Sequence, residues 1–243
     1  MTESIRNYFL PYFPLVVAIL VSCSSDSKVR FDNSRMVSMK IEARRHYNEG
    51  LKYGKEGKGD MAIDAYTKSI DIDPAVGAYT KRGAEYLRKG RYDLALTDAN
   101  SAIELNAKYA AAHFLRGNAL YRMLKFRSAV KSYLRAIQLD PSRAEFYYNC
   151  GQANYRLDRP DDAAAMYEKA LAADRSFYPA HYNLACLHAR KNDTRKAFES
   201  LEKAVAAGFS DVELLKVDAS FERMRPDARF NRLIEKIKKN ARH

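Results

Sequence analysis

No apolar run in this sequence is long enough to cross a bilayer as a helix. The stretch from Tyr8 to Val21 is fourteen residues and is broken by Pro11 and Pro14, where a spanning helix needs about 20. A phosphate-binding loop is also missing. Gly54, Gly57 and Gly59 make a glycine-rich turn, but Asp60 follows in place of Lys-Ser/Thr and no strand precedes it. No Ser/His/Asp arrangement or carboxylate pair stands apart from the helical pattern, and Glu85, Asp93 and Asp98 are expected on solvated faces. His181, Cys186 and His188 do not make a metal set. At about 100° per residue the two histidines share one helix face, and Cys186 points about 140–160° away. Nothing here calls for a cofactor, and the chain is expected not to be an enzyme.

What the sequence does have is a period. Gly50, Gly83, Gly117, Gly151 and Ala185 anchor near-identical phrases at spacings of 33, 34, 34 and 34 residues, and a period in the thirties means stacked helical hairpins. Twelve residues after each anchor stand Ala62, Ala95, Ala129, Ala163 and Ala197. Nineteen after stand Ser69, Ala102, Ala136, Ala170 and Ala204. Four before stand His46, Tyr79, His113, Tyr147 and His181. Small residues at fixed places let two helices cross closely, and rings fill the space between hairpins. Cys150 and Cys186 fall on equivalent helices of neighbouring hairpins. Those axes pack about 8–10 Å apart, while a disulfide needs Cα atoms within about 7 Å, so both are expected to remain free.

These columns, and phrases such as the run from Gly117 to Pro141, resemble the tetratricopeptide repeat, a 34-residue helix–turn–helix unit. The resemblance runs from about Ala43 to Phe209. It implies an all-α, right-handed α-solenoid of about five hairpins, at 43–75, 76–109, 110–143, 144–177 and 178–209, closed by a C-terminal helical cap. The ring slot holds His or Tyr where the family often has Trp. Pro74 and Pro141 close repeats as in the family, but Ala107, Arg175 and Phe209 stand at the equivalent places. The fold implies no chemistry by itself.

The ends are of different material. The Tyr8–Val21 stretch suits the apolar core of a secretory signal, and Leu20-Val21-Ser22-Cys23 resembles a bacterial lipobox. The resemblance implies a signal peptide over 1–22, cleavage before Cys23, and lipid on that residue. Acyl chains anchor stably because each buried methylene contributes about 0.8 kcal/mol. Residues 23–33 then form a lipidated cysteine and flexible tether, with a helix starting near Ser34. The last part, 210–243, forms basic capping helices. There Gly208 ends the last hairpin, Pro226 is expected to open the final helix, and Phe230, Leu233, Ile234 and Ile237 should cover the end of the stack. Net charge is +12, concentrated in residues 28–58 and 222–243, and a basic segment beside a lipid anchor would meet anionic head groups.

One helix face is open. With each anchor at zero, the residue five after it points about 175° from the core direction, and that column is Lys55, Arg88, Arg122, Arg156 and Arg190, all basic. The same side carries Tyr47, Phe114, Tyr148 and Tyr182 three before the anchor, with Asn149 and Asn183 two before. It also carries Asn118 and Gln152 one after and Tyr121 and Tyr155 four after. In the family this side lines a concave groove for peptides. Rings give apolar contact, amides bond a peptide backbone, and guanidinium groups pair carboxylates. The slots that clamp a chaperone's terminal carboxylate in some family members hold Tyr47, Leu51 and Lys81 here, so that subtype is disfavoured.

The expectation is a non-enzymatic interaction scaffold, lipid-anchored in the bacterial cell envelope, that holds an acidic or polar segment of an unidentified protein. It would face the periplasm or the surface, with the outer membrane favoured by Ser24. The alternative is a polyanion binder that grips nucleic acid or an acidic cell-wall polymer through basic groove and termini, with steep salt dependence.

Overall fold

The structure, a computed structural model, describes residues 33–240. Cys23 and the Tyr8–Val21 run lie outside the described residues. Ten α-helices pair into five hairpins: α1 (Asn33–Lys55) with α2 (Gly59–Ile72), α3 (Val76–Arg88) with α4 (Tyr92–Leu105), α5 (Ala110–Arg122) with α6 (Phe126–Leu139), α7 (Ala144–Arg156) with α8 (Pro160–Ala173), and α9 (Tyr178–Arg190) with α10 (Thr194–Ala206). Then come α11 (Val212–Val217), a 3-10 helix (Ala219–Met224) and α12 (Ala228–Asn240). Among the described residues there is no strand. The second helix of each hairpin packs on the first helix of the next, which makes an all-α helical solenoid.

The small-residue columns sit where the helices cross. Ala62, Ala95, Ala129, Ala163 and Ala197 have no exposed surface, and a larger side chain there would force the axes apart. The anchors are explained by a column that the period alone does not reveal, sixteen residues further on. A Cβ on Gly50 would lie 2.5 Å from the Tyr66 ring, on Gly117 2.5 Å from Tyr133, and on Gly151 2.6 Å from Tyr167. In the second hairpin that later place holds Ala99, and Leu115 from the next hairpin fills the gap, 2.6 Å from a Cβ on Gly83. In the fifth hairpin the place holds Leu201 and the anchor is Ala185. The anchor is therefore glycine where a ring or a neighbouring leucine presses on it.

Each hairpin turns through one left-handed residue seven after its anchor: Gly57, Gly90, Leu124, Asp158 and Asn192, at φ 72, 75, 61, 57 and 59°. The next N–H closes the first helix by bonding back five residues, as in Lys125 N–H to Leu120 carbonyl at 2.8 Å and Arg91 N–H to Tyr86 carbonyl at 2.8 Å. This geometry recovers carbonyls that the helix end leaves without partners.

The histidines of the ring slot have a second role. His113 Nε2–H donates to the Ala107 carbonyl at 2.9 Å, and His181 Nε2–H to the Arg175 carbonyl at 3.1 Å. Those are two connections that lack the repeat-closing proline, and the ring N–H pins the loop in its place. Tyr79 and Tyr147 occupy the slot where Pro74 and Pro141 stiffen the connection.

Two expectations need correction. Glu85 and Asp98 are buried, not solvated: Glu85 pairs with Arg88, and Asp98 takes Arg82 through both oxygens, at 3.0 and 2.8 Å. Asp93 is exposed. Pro226 lies in the turn before the last helix, which opens at Ala228. Asp227 begins it by accepting the Arg229 N–H at 2.8 Å through its side chain and the Phe230 N–H at 2.9 Å through its carbonyl. Phe230, Leu233, Ile234 and Ile237 are buried against Phe198, Leu201 and Val205 of α10, together with Leu215, Phe221 and Met224.

Candidate functional site

The first helices of the hairpins (α1, α3, α5, α7 and α9) carry the residues of the open face. Lys55, Arg88, Arg122, Arg156 and Arg190 are all exposed. Three of them reach back one repeat and rest on a ring. The Arg122 guanidinium lies 5.0 Å over Tyr92 and donates to its hydroxyl at 2.6 Å. Arg156 lies 4.7 Å over Phe126. Arg190 lies 5.4 Å over Tyr155 and donates to its hydroxyl. Such stacking holds a flexible cation in place and leaves guanidinium N–H groups for an anion. Arg88 differs, because it is paired with Glu85 of its own helix. Tyr92 and Phe126 open α4 and α6, nine residues after their anchors, and the repeat pattern did not single them out.

The rings three before the anchor form the floor. Tyr47 packs 5.8 Å from Tyr66, Phe114 lies 5.8 Å from Tyr133 and 4.6 Å from Phe146, and Tyr148 lies 5.7 Å from Tyr167 and 5.3 Å from Phe177. Tyr182 is set apart. It is only 9% exposed, covered by Phe209 at 4.8 Å and Phe221 at 5.7 Å. Tyr121 packs edge-on against Phe126 at 5.3 Å, and Tyr155 is exposed.

Amides and phenols link the floor from repeat to repeat. Asn118 Oδ1 accepts from Tyr133 hydroxyl at 2.8 Å and from Asn149 Nδ2 at 2.9 Å. Gln152 Nε2 donates to the Tyr148 hydroxyl at 2.8 Å. The Asn183 amide faces the hydroxyls of Tyr148 and Tyr167. The next rung belongs to the cap: the Tyr182 hydroxyl donates to Asp218 Oδ2 at 2.7 Å. Burial pushes Tyr133, Tyr167 and Tyr182 well above the ordinary phenol value, so these hydroxyls stay protonated, and those of Tyr133 and Tyr182 donate to Asn118 and Asp218. Burial alone would raise Asp218. The bonds it accepts from the Ser220 N–H and the Tyr182 hydroxyl outweigh that and hold it below the usual carboxylate value.

Besides a hollow beside Tyr148, Tyr182, Asn183 and Asp211, two others open on this face. One of about 320 Å³ is walled by Leu87, Arg88, Asn118, Arg122, Asn149 and Gln152 among others. A second of about 350 Å³ lies between α7, α9 and the 3-10 helix. Asp218 and Ser220 line the second, and nothing in the repeat pattern pointed to them, since they fall after the last complete period. Cys150 and Cys186 are both free thiols. Among the described residues no three His, Cys, Asp or Glu side chains converge as a metal site would require.

A family model described as TPR repeat matches residues 83–123 and 125–158, and two described as tetratricopeptide repeat match 151–212 and 43–76. Human RNA polymerase II-associated protein 3 is 36% identical over 113 residues, which cover 46% of this chain and 17% of the relative. Human serine/threonine-protein phosphatase 5 is 35% identical over 82 residues, 33% of this chain and 16% of that protein. Those matches span less than a fifth of either relative. Among solved structures, PilF of Pseudomonas aeruginosa superposes with TM-score 0.71 at 19% identity over 82% of this chain and 90% of that one. MamA superposes at 0.59 with 26% identity over 65% and 93%. With its period, its glycine–ring crossings and these matches, the chain belongs to the tetratricopeptide repeat family.

Proposed function

We propose that this chain is a non-enzymatic scaffold that holds an extended segment of a partner protein along the linked floor of its first helices. The observation that carries this is the conjunction of amide and phenol hydrogen bonds, which cross from the third hairpin to the fourth and from the fifth to the cap, with three arginines stacked on rings of the same face. The amides and phenols present neutral donors and acceptors to a peptide backbone. The arginines meet acidic side chains, and a charge-assisted bond of that kind contributes about 1.5–3 kcal/mol. Protein–protein interaction is the general use of the repeat, and it needs no catalytic group. The partner is unidentified; its chemistry is that of an acidic or polar segment.

The finer reading places the scaffold in the bacterial cell envelope, tethered by lipid on Cys23 and facing the periplasm or the surface. Its support is the lipobox-like run ending at Cys23 and the short apolar core before it. Labelling cells with a clickable fatty acid should mark the wild type and not Cys23→Ser, and equal labelling of both removes the anchor.

The groove is tested by capture. Reversing Arg122 and Arg156 to Glu should abolish recovery of partners from a membrane extract while helical circular dichroism and melting temperature stay nearly unchanged. Retention of every wild-type partner by the double variant overturns the groove reading. A polyanion reading has its own support in α12, where Arg229, Arg232, Lys236, Lys238 and Lys239 stand against Glu235 alone. It requires that reversing Lys238 and Lys239 removes binding and that salt near half-molar removes the remainder.

A further inference from the structure

The second hollow differs from the first in the sign of its charges. Along the first hollow the ionic side chains are Arg88 and Arg122. In the second, Arg156 and Asp218 both line the wall, together with the rings of Tyr121, Tyr155 and Tyr182 and the amide of Asn183. Among the described residues neither Arg156 nor Asp218 forms an ion pair. Arg156 rests on the Phe126 ring. The donors on the Asp218 carboxylate are neutral: the Ser220 N–H on Oδ1 at 2.8 Å, and on Oδ2 the Tyr182 hydroxyl at 2.7 Å and the Cys186 thiol at 3.7 Å. The Arg225 guanidinium donates to the backbone carbonyl of Asp218 at 3.1 Å, not to its carboxylate.

The origin of this carboxylate is a break in the chain. Asp218 is the residue between α11 and the 3-10 helix, with extended backbone at φ −62° and ψ 117°. The break turns its side chain onto α9, and it takes the place on the ladder that Asn149 and Asn183 hold in earlier repeats. Both carboxylate oxygens are used as acceptors, Oδ1 for the Ser220 N–H and Oδ2 for the Tyr182 hydroxyl. Neither meets a side-chain cation, so this half-buried carboxylate favours a cation that reaches it.

Resting on the reading that the groove holds a peptide, we infer that this hollow is a bipolar subsite. It takes an acidic side chain of the bound segment at Arg156 and, nearer the cap, a lysine or arginine at Asp218. The tyrosine faces add a second attraction for that cation. The opposite order would put like charges together at both places, so the pair also fixes the direction in which the segment lies.

The test pans a random dodecapeptide phage library on the full chain, then measures the selected peptides against wild type, Arg156→Gln and Asp218→Asn, with thermal melting to check each fold. Selected peptides should carry an acid and a base within a few residues. Replacing the base by norleucine, or acetylating it where it is lysine, should weaken binding to the wild type about tenfold or more and leave binding to Asp218→Asn nearly unchanged. The acetylated peptide needs no protein variant and holds the test even if Asp218→Asn does not fold. If the peptides bind, and lose binding on the Arg122/Arg156 reversal, but the base replacement costs the same against wild type and Asp218→Asn, or costs nothing, the bipolar subsite is wrong and the groove stands. If no peptide is retained by the wild type, both fall.

Discussion

The two ends of the solenoid finish the same repeat in opposite ways. In the inner hairpins the positions five before and two after the anchor are stacking positions, held by Ala78, Ala112, Phe146 and Ala180 and by Glu85, Ala119, Ala153 and Leu187, all buried. In the first hairpin they are Arg45 and Lys52, both exposed. The first end thus carries cations at the stacking positions, beside Met36, Val37, Met39 and Ile41, which are exposed on the same helix. The last end keeps an apolar face and covers it with additional chain: Leu215, Phe221 and Ile237 are essentially inaccessible. Among the described residues the first end has no cover, whereas the covered end depends on every ring in its cover. That difference also shapes function, because the cover, and not the charged end, sends a carboxylate into the groove.

The largest effect should follow from opening the covered end. Phe221→Ala removes a ring that packs on Tyr182 and should cost about 3–5 kcal/mol in chemical denaturation. Ile41→Ser, on the exposed early turns of α1 where Ile41 is 65% exposed, should stay within about 0.5 kcal/mol. Equal costs would erase the contrast between the ends. An interior joint supplies the reference. Ala129→Leu overfills a crossing with no free space and should destabilise by about 1–3 kcal/mol, while Lys131→Ala, on a solvated face, should cost under about 0.5 kcal/mol.

A gain is expected at one turn. Leu124 holds φ 61° where the first two hairpins use Gly57 and Gly90, and a non-glycine residue in that region costs roughly 1 kcal/mol. Leu124→Gly should raise the denaturation midpoint by a corresponding amount, and a fall would mean that the half-turn needs the leucine side chain.

The smallest effect is on pH dependence. Burial lowers His113 below its ordinary value of 6.5, against the opposing bond to the Ala107 carbonyl. The unfolded chain therefore takes up a proton near pH 6.5 that the folded chain resists. Stability should be full above that value and fall as pH drops through it. His113→Gln, which keeps an N–H for the carbonyl, should flatten the slope of melting temperature between pH 7.5 and 5.5. An unchanged slope would remove His113 from the account.

The fold was legible because a stack of hairpins repeats its packing, and packing is written in residue size. The anchors, the two alanine columns and the ring slot each mark a crossing or a gap. The partner of the anchor was harder to see, because the column of Tyr66, Tyr133 and Tyr167 is interrupted by Ala99 and ends in Leu201, and its function is shared with Leu115 from the third hairpin. Glu85 and Asp98 were misjudged for a related reason. A charge on a helix looks solvated until the arginine that neutralises it is placed, and Arg82 reaches Asp98 from the other helix of the hairpin. On the open face the basic column was visible, but its rests on Tyr92 and Phe126 were not, since those contacts pass between repeats. Asp218 and Ser220 lay beyond the period altogether, where a broken helix and not a repeated one sets direction.

The central claim is that the linked face of the first helices holds the partner. Site-specific photo-crosslinking tests it most directly. A benzophenone amino acid placed at Tyr121, on the groove side, is compared with one at Leu134, exposed on α6. The account predicts a discrete adduct from position 121 that disappears when Arg122 and Arg156 are reversed, and none from position 134. An adduct from 134 alone, or one from 121 that survives the reversal undiminished, would contradict it.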